Sequence, residues 1–95
     1  MNQNYKEMKI KVYCESTRSG IMGTGGTETT ETEFVAEFEA ESREKAIEKF
    51  KIFFLTKDRT FYNYSNGKAE IEWKNPTDHQ PYQRTLITKT WYINI

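Results

Sequence analysis

The sequence predicts an α+β domain in which an antiparallel sheet of about five strands carries one helix on one face, in the order ββαβββ. Three observations lead there. Apolar residues alternate with period two in two early stretches and one late one; between them lies a three- and four-residue apolar spacing; and Asn66-Gly67 marks a tight turn. The chain has 95 residues, enough for a single domain spanning 1–95. A chain of this size buries only a little over ~60% of its unfolded surface.

Met8, Ile10, Val12 and Cys14 alternate with Lys9, Lys11 and Tyr13, as in a strand with one buried face. Phe34, Ala36, Phe38 and Ala40 alternate in the same way with Val35, Glu37, Glu39 and Glu41. Antiparallel pairing of these two strands sets Lys9 and Lys11 on the face that carries the glutamates. Ser42 can cap a helix that starts at Arg43, with Glu44 in its first turn. Ala46, Ile47, Phe50, Phe53 and Phe54 then form the apolar stripe of one amphipathic helix running from about Ser42 to Leu55.

Asn66 and Gly67 both tolerate positive φ, so they predict a two-residue hairpin loop. Counting outwards, Tyr64 would face Ala69, Tyr62 would face Ile71 and Thr60 would face Trp73. That Tyr and Trp face is expected to be buried, leaving Phe61, Asn63, Glu70 and Glu72 outside. Lys74 to Arg84, with Pro76, Asp78, His79 and Pro81, reads as an exposed loop. Thr85 to Ile95 reads as a last strand, rich in β-branched and aromatic residues. Its apolar residues fall on both faces, more than one helix can cover, so a homodimer or higher oligomer is expected.

Composition narrows the function classes. Apolar residues are 36% of the chain and aromatic residues 15%, so much of the core volume comes from Phe, Tyr and Trp. Fourteen basic side chains balance fourteen acidic ones, which removes the global field of a general nucleic-acid or membrane-surface binder. Cys14 is the only cysteine, so a reducing compartment fits. The polar start from Met1 to Glu7 does not resemble a signal peptide, and no stretch approaches the ~20 apolar residues of a membrane span. The cytoplasm is the expected location, with no membrane partner.

No catalytic or metal-binding constellation emerges, and no cofactor is expected. One Cys and one His, Cys14 and His79, lack an orienting third group, and a structural zinc site needs four ligands. Glu37 and Glu39 read as a solvated strand face. The segment Glu15 to Glu31 is different, because it reads as a connection longer than a hairpin needs. Arg18 offers a fork of donors for phosphate or carboxylate, while Gly23, Gly25 and Gly26 allow close backbone approach and Thr24 and Thr27 add hydroxyls. It has no Gly-Lys-Ser/Thr ending and leads into a strand, so it is not a P-loop. Arg18, Gly23, Thr24, Gly25, Gly26 and Thr27 are therefore the first candidates for ligand or partner contact, joined by the apolar pair Ile21-Met22. Tyr62, Trp73 and Tyr92 are the second, as an aromatic sheet surface on which single-stranded bases could stack.

The stretch EFVAEFEAESREKAIEKF, Glu33 to Phe50, runs from an acidic alternating strand through Ala-Glu-Ser into a short amphipathic helix. It resembles a motif of small phage and mobile-element proteins, among them the DpnD/PcfM-like group. The resemblance implies a phage-type, non-enzymatic binding protein that inhibits a host defence system, either by blocking a host protein or by sequestering a small nucleotide signal. A single-stranded nucleic-acid-binding sheet module is the alternative, against which the carboxylates of the second strand argue; a phage structural or assembly protein is another.

Overall fold

The computed structural model describes residues 7–20, 28–74 and 85–95. The elements are β1 (Met8–Gly20), β2 (Glu28–Ala40), α1 (Arg43–Phe54), β3 (Thr60–Tyr64), β4 (Lys68–Lys74) and β5 (Thr85–Asn94). They form one antiparallel five-stranded sheet in the order β2-β1-β5-β4-β3, an α+β fold with the helix against one face. Among the described residues no helix is long and apolar enough to cross a membrane.

The helix forms as its sequence predicts. The Ser42 hydroxyl accepts a hydrogen bond from the Lys45 backbone N–H at 3.2 Å, and the Leu55 N–H closes the other end on the Lys51 carbonyl at 2.9 Å. Glu44 in the first turn and Lys51 in the last complement the helix dipole. Ala46 and Phe50 are the residues it buries. Phe50 enters a cluster with Ile10, Val12, Ala40, Ala69, Ile71 and Ile93, where three alanines (Ala40, Ala46 and Ala69) leave room for one large ring.

The helix side of the sheet carries Met8, Ile10, Val12 and Cys14 of β1 with Ala36, Phe38 and Ala40 of β2, as the alternation predicts. Phe34 breaks the series. Val12 pairs with Ala36 but Tyr13 pairs with Phe34, so Val35 is an extra residue, a β-bulge. A single inserted residue reverses the alternation beyond it. Phe34 therefore lies on the open face, 55% exposed, with its ring 5.9 Å from that of Tyr13. Phe53 is likewise 57% exposed, its ring edge-on to Phe38 at 5.6 Å, so neither Phe34 nor Phe53 belongs to the expected core.

The hairpin corrects a second expectation. Tyr64 pairs with Lys68, Asn63 with Ala69 and Phe61 with Ile71, which makes the loop three residues, Ser65-Asn66-Gly67. The Gly67 N–H bonds the Tyr64 carbonyl at 3.3 Å, and Gly67 takes φ +87°, the arrangement of a turn closed by one left-handed residue. Every β3 side chain changes face relative to the two-residue loop, while β4 keeps the faces expected of it. Phe61 joins Ile71 and Trp73 on the helix side, whereas Tyr62 and Tyr64, 38% and 41% exposed, lie on the open face with Glu70 and Glu72. β5 takes the central place, between β1 and β4.

Two substitutions test this packing. Phe50→Ala removes a fully buried ring and should destabilise by about 3–5 kcal/mol in chemical denaturation; a midpoint equal to the parent's would refute the core assignment. At Gly67 an added Cβ meets the Ile95 carbonyl oxygen at 2.7 Å and φ is positive, so Gly67→Ala should cost about 1–3 kcal/mol while Asn66→Ala costs less.

Candidate functional site

Sequence reasoning treated Glu15 to Glu31 as a loop. Most of it is strand. β1 continues through Glu15 to Gly20 and β2 begins at Glu28, with Glu15 opposite Thr32, Thr17 opposite Thr30 and Arg18 opposite Thr29. The hydroxyls of Thr17 and Thr30 are 3.4 Å apart across the pair. Hydrophobic periodicity is silent here because both faces are polar, but the run Thr27-Glu28-Thr29-Thr30-Glu31-Thr32 has strong β-propensity, and that signal was available. Gly23, Thr24, Gly25, Gly26 and Thr27, with Ile21 and Met22, lie outside the described residues, as does His79.

Arg18 is thus positioned by a strand. Along β1 it shares the helix-side face with Cys14 and Ser16, and the register places Trp91 beside Cys14, Lys89 beside Ser16 and Ile87 beside Arg18 on β5. On the other flank β2 contributes Glu33, Glu31 and Thr29 in the same three rows. Residues set diagonally on neighbouring strands stand about 7–8 Å apart, so Arg18 and Lys89 can address one ligand together. Ser16, Thr17, Arg18, Thr29, Glu31, Ile87 and Lys89 line a concave surface of about 420 Å³. That falls within the size range of small-ligand sites, ~300–1,000 Å³.

A third cation marks where the packed half of this face ends. Arg59, in the connection after α1, lies over the Trp91 ring at 4.0 Å, and its Nη1 donates to the Phe54 carbonyl at 2.6 Å. Its Nε is buried without a hydrogen-bond partner among the described residues. Arg59 is therefore committed to holding the end of the helix against the sheet, whereas neither Arg18 nor Lys89 has an ion-pair partner among the described residues.

Cys14, one row inward of Ser16 on the same face of β1, is buried. Burial pushes its thiol above the ordinary value of 9.0, partly offset by the Ser16 hydrogen bond and the Lys89 charge. A thiol kept protonated is the opposite of an activated nucleophile. Among the described residues no group of His, Cys, Asp and Glu is arranged to hold a metal ion.

The second set of candidates divides between the two faces. Trp73 is on the helix side, opposite Lys89, while Tyr92 and Tyr62 are on the open face on either side of Glu70. What the open face does carry is a row that crosses the sheet: Phe34, Tyr13, Tyr92, Glu70 and Tyr62. Tyr13 and Tyr92 stack at 5.7 Å, and Lys68 lies over Tyr92 at 4.9 Å while its ammonium meets Glu70 at 3.1 Å. The sequence places Phe34 in the core, and only the cross-strand register aligns it with Tyr13 and Tyr92. Glu15, Glu37, Glu39, Glu70 and Glu72 outnumber Lys9, Lys11, Lys68 and Lys74 on this face, so its charge opposes phosphate.

No protein-family signature, no curated protein and no solved structure matches this chain.

The thiol gives a prediction. Cys14 should react with a disulfide reagent far more slowly in the native protein than in denaturant, with an apparent pKa above 9.0. Because the folded pKa is raised, the thiol's contribution to stability is fully present below the unfolded pKa and is lost as pH rises through the folded one. A rapidly reacting native thiol at neutral pH would contradict the burial.

Proposed function

We propose that this protein acts by binding and not by catalysis, with Arg18 and Lys89 gripping an anionic group of its ligand. The carrying observation is the concavity of about 420 Å³ in which these two cations stand on neighbouring strands with the Ser16 and Thr29 hydroxyls beside them. Phosphate and carboxylate are the anions whose oxygens an arginine fork and a lysine ammonium address together. The ligand class is a small phosphorylated molecule of nucleotide type. The Glu33 to Phe50 motif supports a phage or mobile-element setting, in which sequestering such a signal, or covering an acidic patch of a host protein, inhibits host defence.

A second reading, a single-stranded nucleic-acid-binding sheet, draws on the row of Phe34, Tyr13, Tyr92 and Tyr62. Stacking on aromatic rings is sequence-tolerant, but the acidic neighbours of this row weaken any phosphate contact.

Native mass spectrometry of the purified protein, followed by calorimetry with a panel of nucleoside phosphates, tests the choice. Arg18→Ala and Lys89→Ala should each lower affinity at least about tenfold, the loss of one charge-assisted hydrogen bond, without changing the melting midpoint. Full affinity in both variants, with loss instead on Tyr92→Ala and a steep salt dependence, would transfer the function to the open face.

A further inference from the structure

We propose that the outer edge of β2 accepts an extended, lysine- or arginine-rich segment of another protein as a sixth strand of the sheet. β2 is 13 residues long and pairs on one side only, with β1. Edge strands in natural proteins are commonly short or covered, because a row of unpaired N–H and C=O groups is a template for another chain. Among the described residues, main-chain hydrogen bonds outside the regular elements involve none of β2. A single side chain closes part of the edge: the Lys49 ammonium donates to the Glu39 carbonyl at 2.6 Å. Among the described residues no other hydrogen bond closes the edge from 28 to 37.

The flanks of this edge are apolar where the bulge sits. Val35 is 37% exposed, Phe34 reaches out on the open face, and Phe53 stands beside Phe38 on the helix face. A strand added about 4.8 Å from β2 would lay successive side chains against these two faces in turn. It would meet Phe34 on one face and the Phe38–Phe53 pair on the other, as in recognition by strand addition, where backbone bonds supply affinity and alternate side chains supply specificity.

Charge selects the occupant. Within β2 there are glutamates at 28, 31, 33, 37 and 39 and no lysine or arginine, in a chain whose net charge is zero. Lys11 and Lys9 lie opposite Glu37 and Glu39, but Glu33 and Glu31 lie opposite Cys14 and Ser16, which bring no cation. Pairing β2 with β2 of a second copy would set two glutamate rows side by side, which is destabilising. A basic strand meets the same rows favourably. The glutamates thus guard the edge against self-association while leaving it open to a partner of opposite charge.

The test uses the full chain, isotopically labelled, and a synthetic peptide of alternating lysine and valine as long as β2. Saturable binding is expected, with slowed amide exchange confined to the outer edge of β2. The double variant Glu31→Lys/Glu33→Lys, on exposed side chains, should bind this peptide about tenfold more weakly and gain affinity for a glutamate–valine peptide. Arg18→Ala should leave peptide binding unchanged, which separates this surface from the anion site. The same lysine–valine peptide carrying N-methyl groups at alternate residues keeps its charge but loses its donors, and should not bind. Equal binding of the N-methylated peptide, protection appearing on the aromatic face, or dimerisation through β2 at rising protein concentration would each overturn the proposal.

Discussion

A helix of 12 residues is about 18 Å long, and strands of 13 residues run about 43 Å. This mismatch governs the molecule. α1 can cover only one part of the sheet, and the residues that pack beneath it are those of a conventional core: Ile10, Val12, Ala40, Ala69, Ile71 and Ile93 around Phe50. Beyond its reach no described element packs on the helix-side face, and a broad apolar surface there would be an aggregation hazard. The residues in that stretch are instead mostly polar, Ser16, Arg18, Thr29, Glu31 and Lys89, with Ile87 the apolar exception. The concavity with its two cations follows from the length of the strands as much as from any individual side chain.

Arg59 stands where the two regimes meet. Its guanidinium lies on Trp91, the last large aromatic of β5 on this face before Lys89 and Ile87, and ties that ring to the C-terminal end of the helix through the Phe54 carbonyl. Cation–π contacts contribute about 0.5–2 kcal/mol, more where water is excluded. The shielded position of the Nε indicates that water is largely excluded here. The same shielding reaches Cys14 on the neighbouring strand and keeps its thiol protonated.

The helix, its Ser42 cap, the element order and the long last strand were legible in the sequence because each has a local signature: capping chemistry, a 3.6-residue period or β-branched richness. The continuation of β1 to Gly20 and the start of β2 at Glu28 were hidden by polar residues on both faces. Two further features were not legible, and both involve a shift of one residue. Val35 adds one to β2, and the hairpin loop is one longer than Asn66-Gly67 alone implies. Strand alternation has period two, so each shift exchanges the faces of every residue beyond it. The hairpin choice is settled by a distant contact, since the Gly67 carbonyl accepts the Ile95 N–H at 2.7 Å. No reading of neighbouring residues contains that bond. Arg18 stood out in the sequence as a candidate from its chemistry, but Lys89, set diagonally beside it, lies 71 positions away and joins it only through the β1–β5 register.

The bulge at Val35 has a further consequence for how such a chain can change over generations. On its helix-proximal side, volume is the constraint: Ala36, Phe38 and Ala40 must fit against α1 and β1. On its distal side none of the described elements packs across the helix face, and among them the requirements reduce to β-propensity and solubility. Substitutions there alter the charge and shape of that surface without altering the core. One half of this sheet can therefore diversify in sequence while the other half keeps the domain folded.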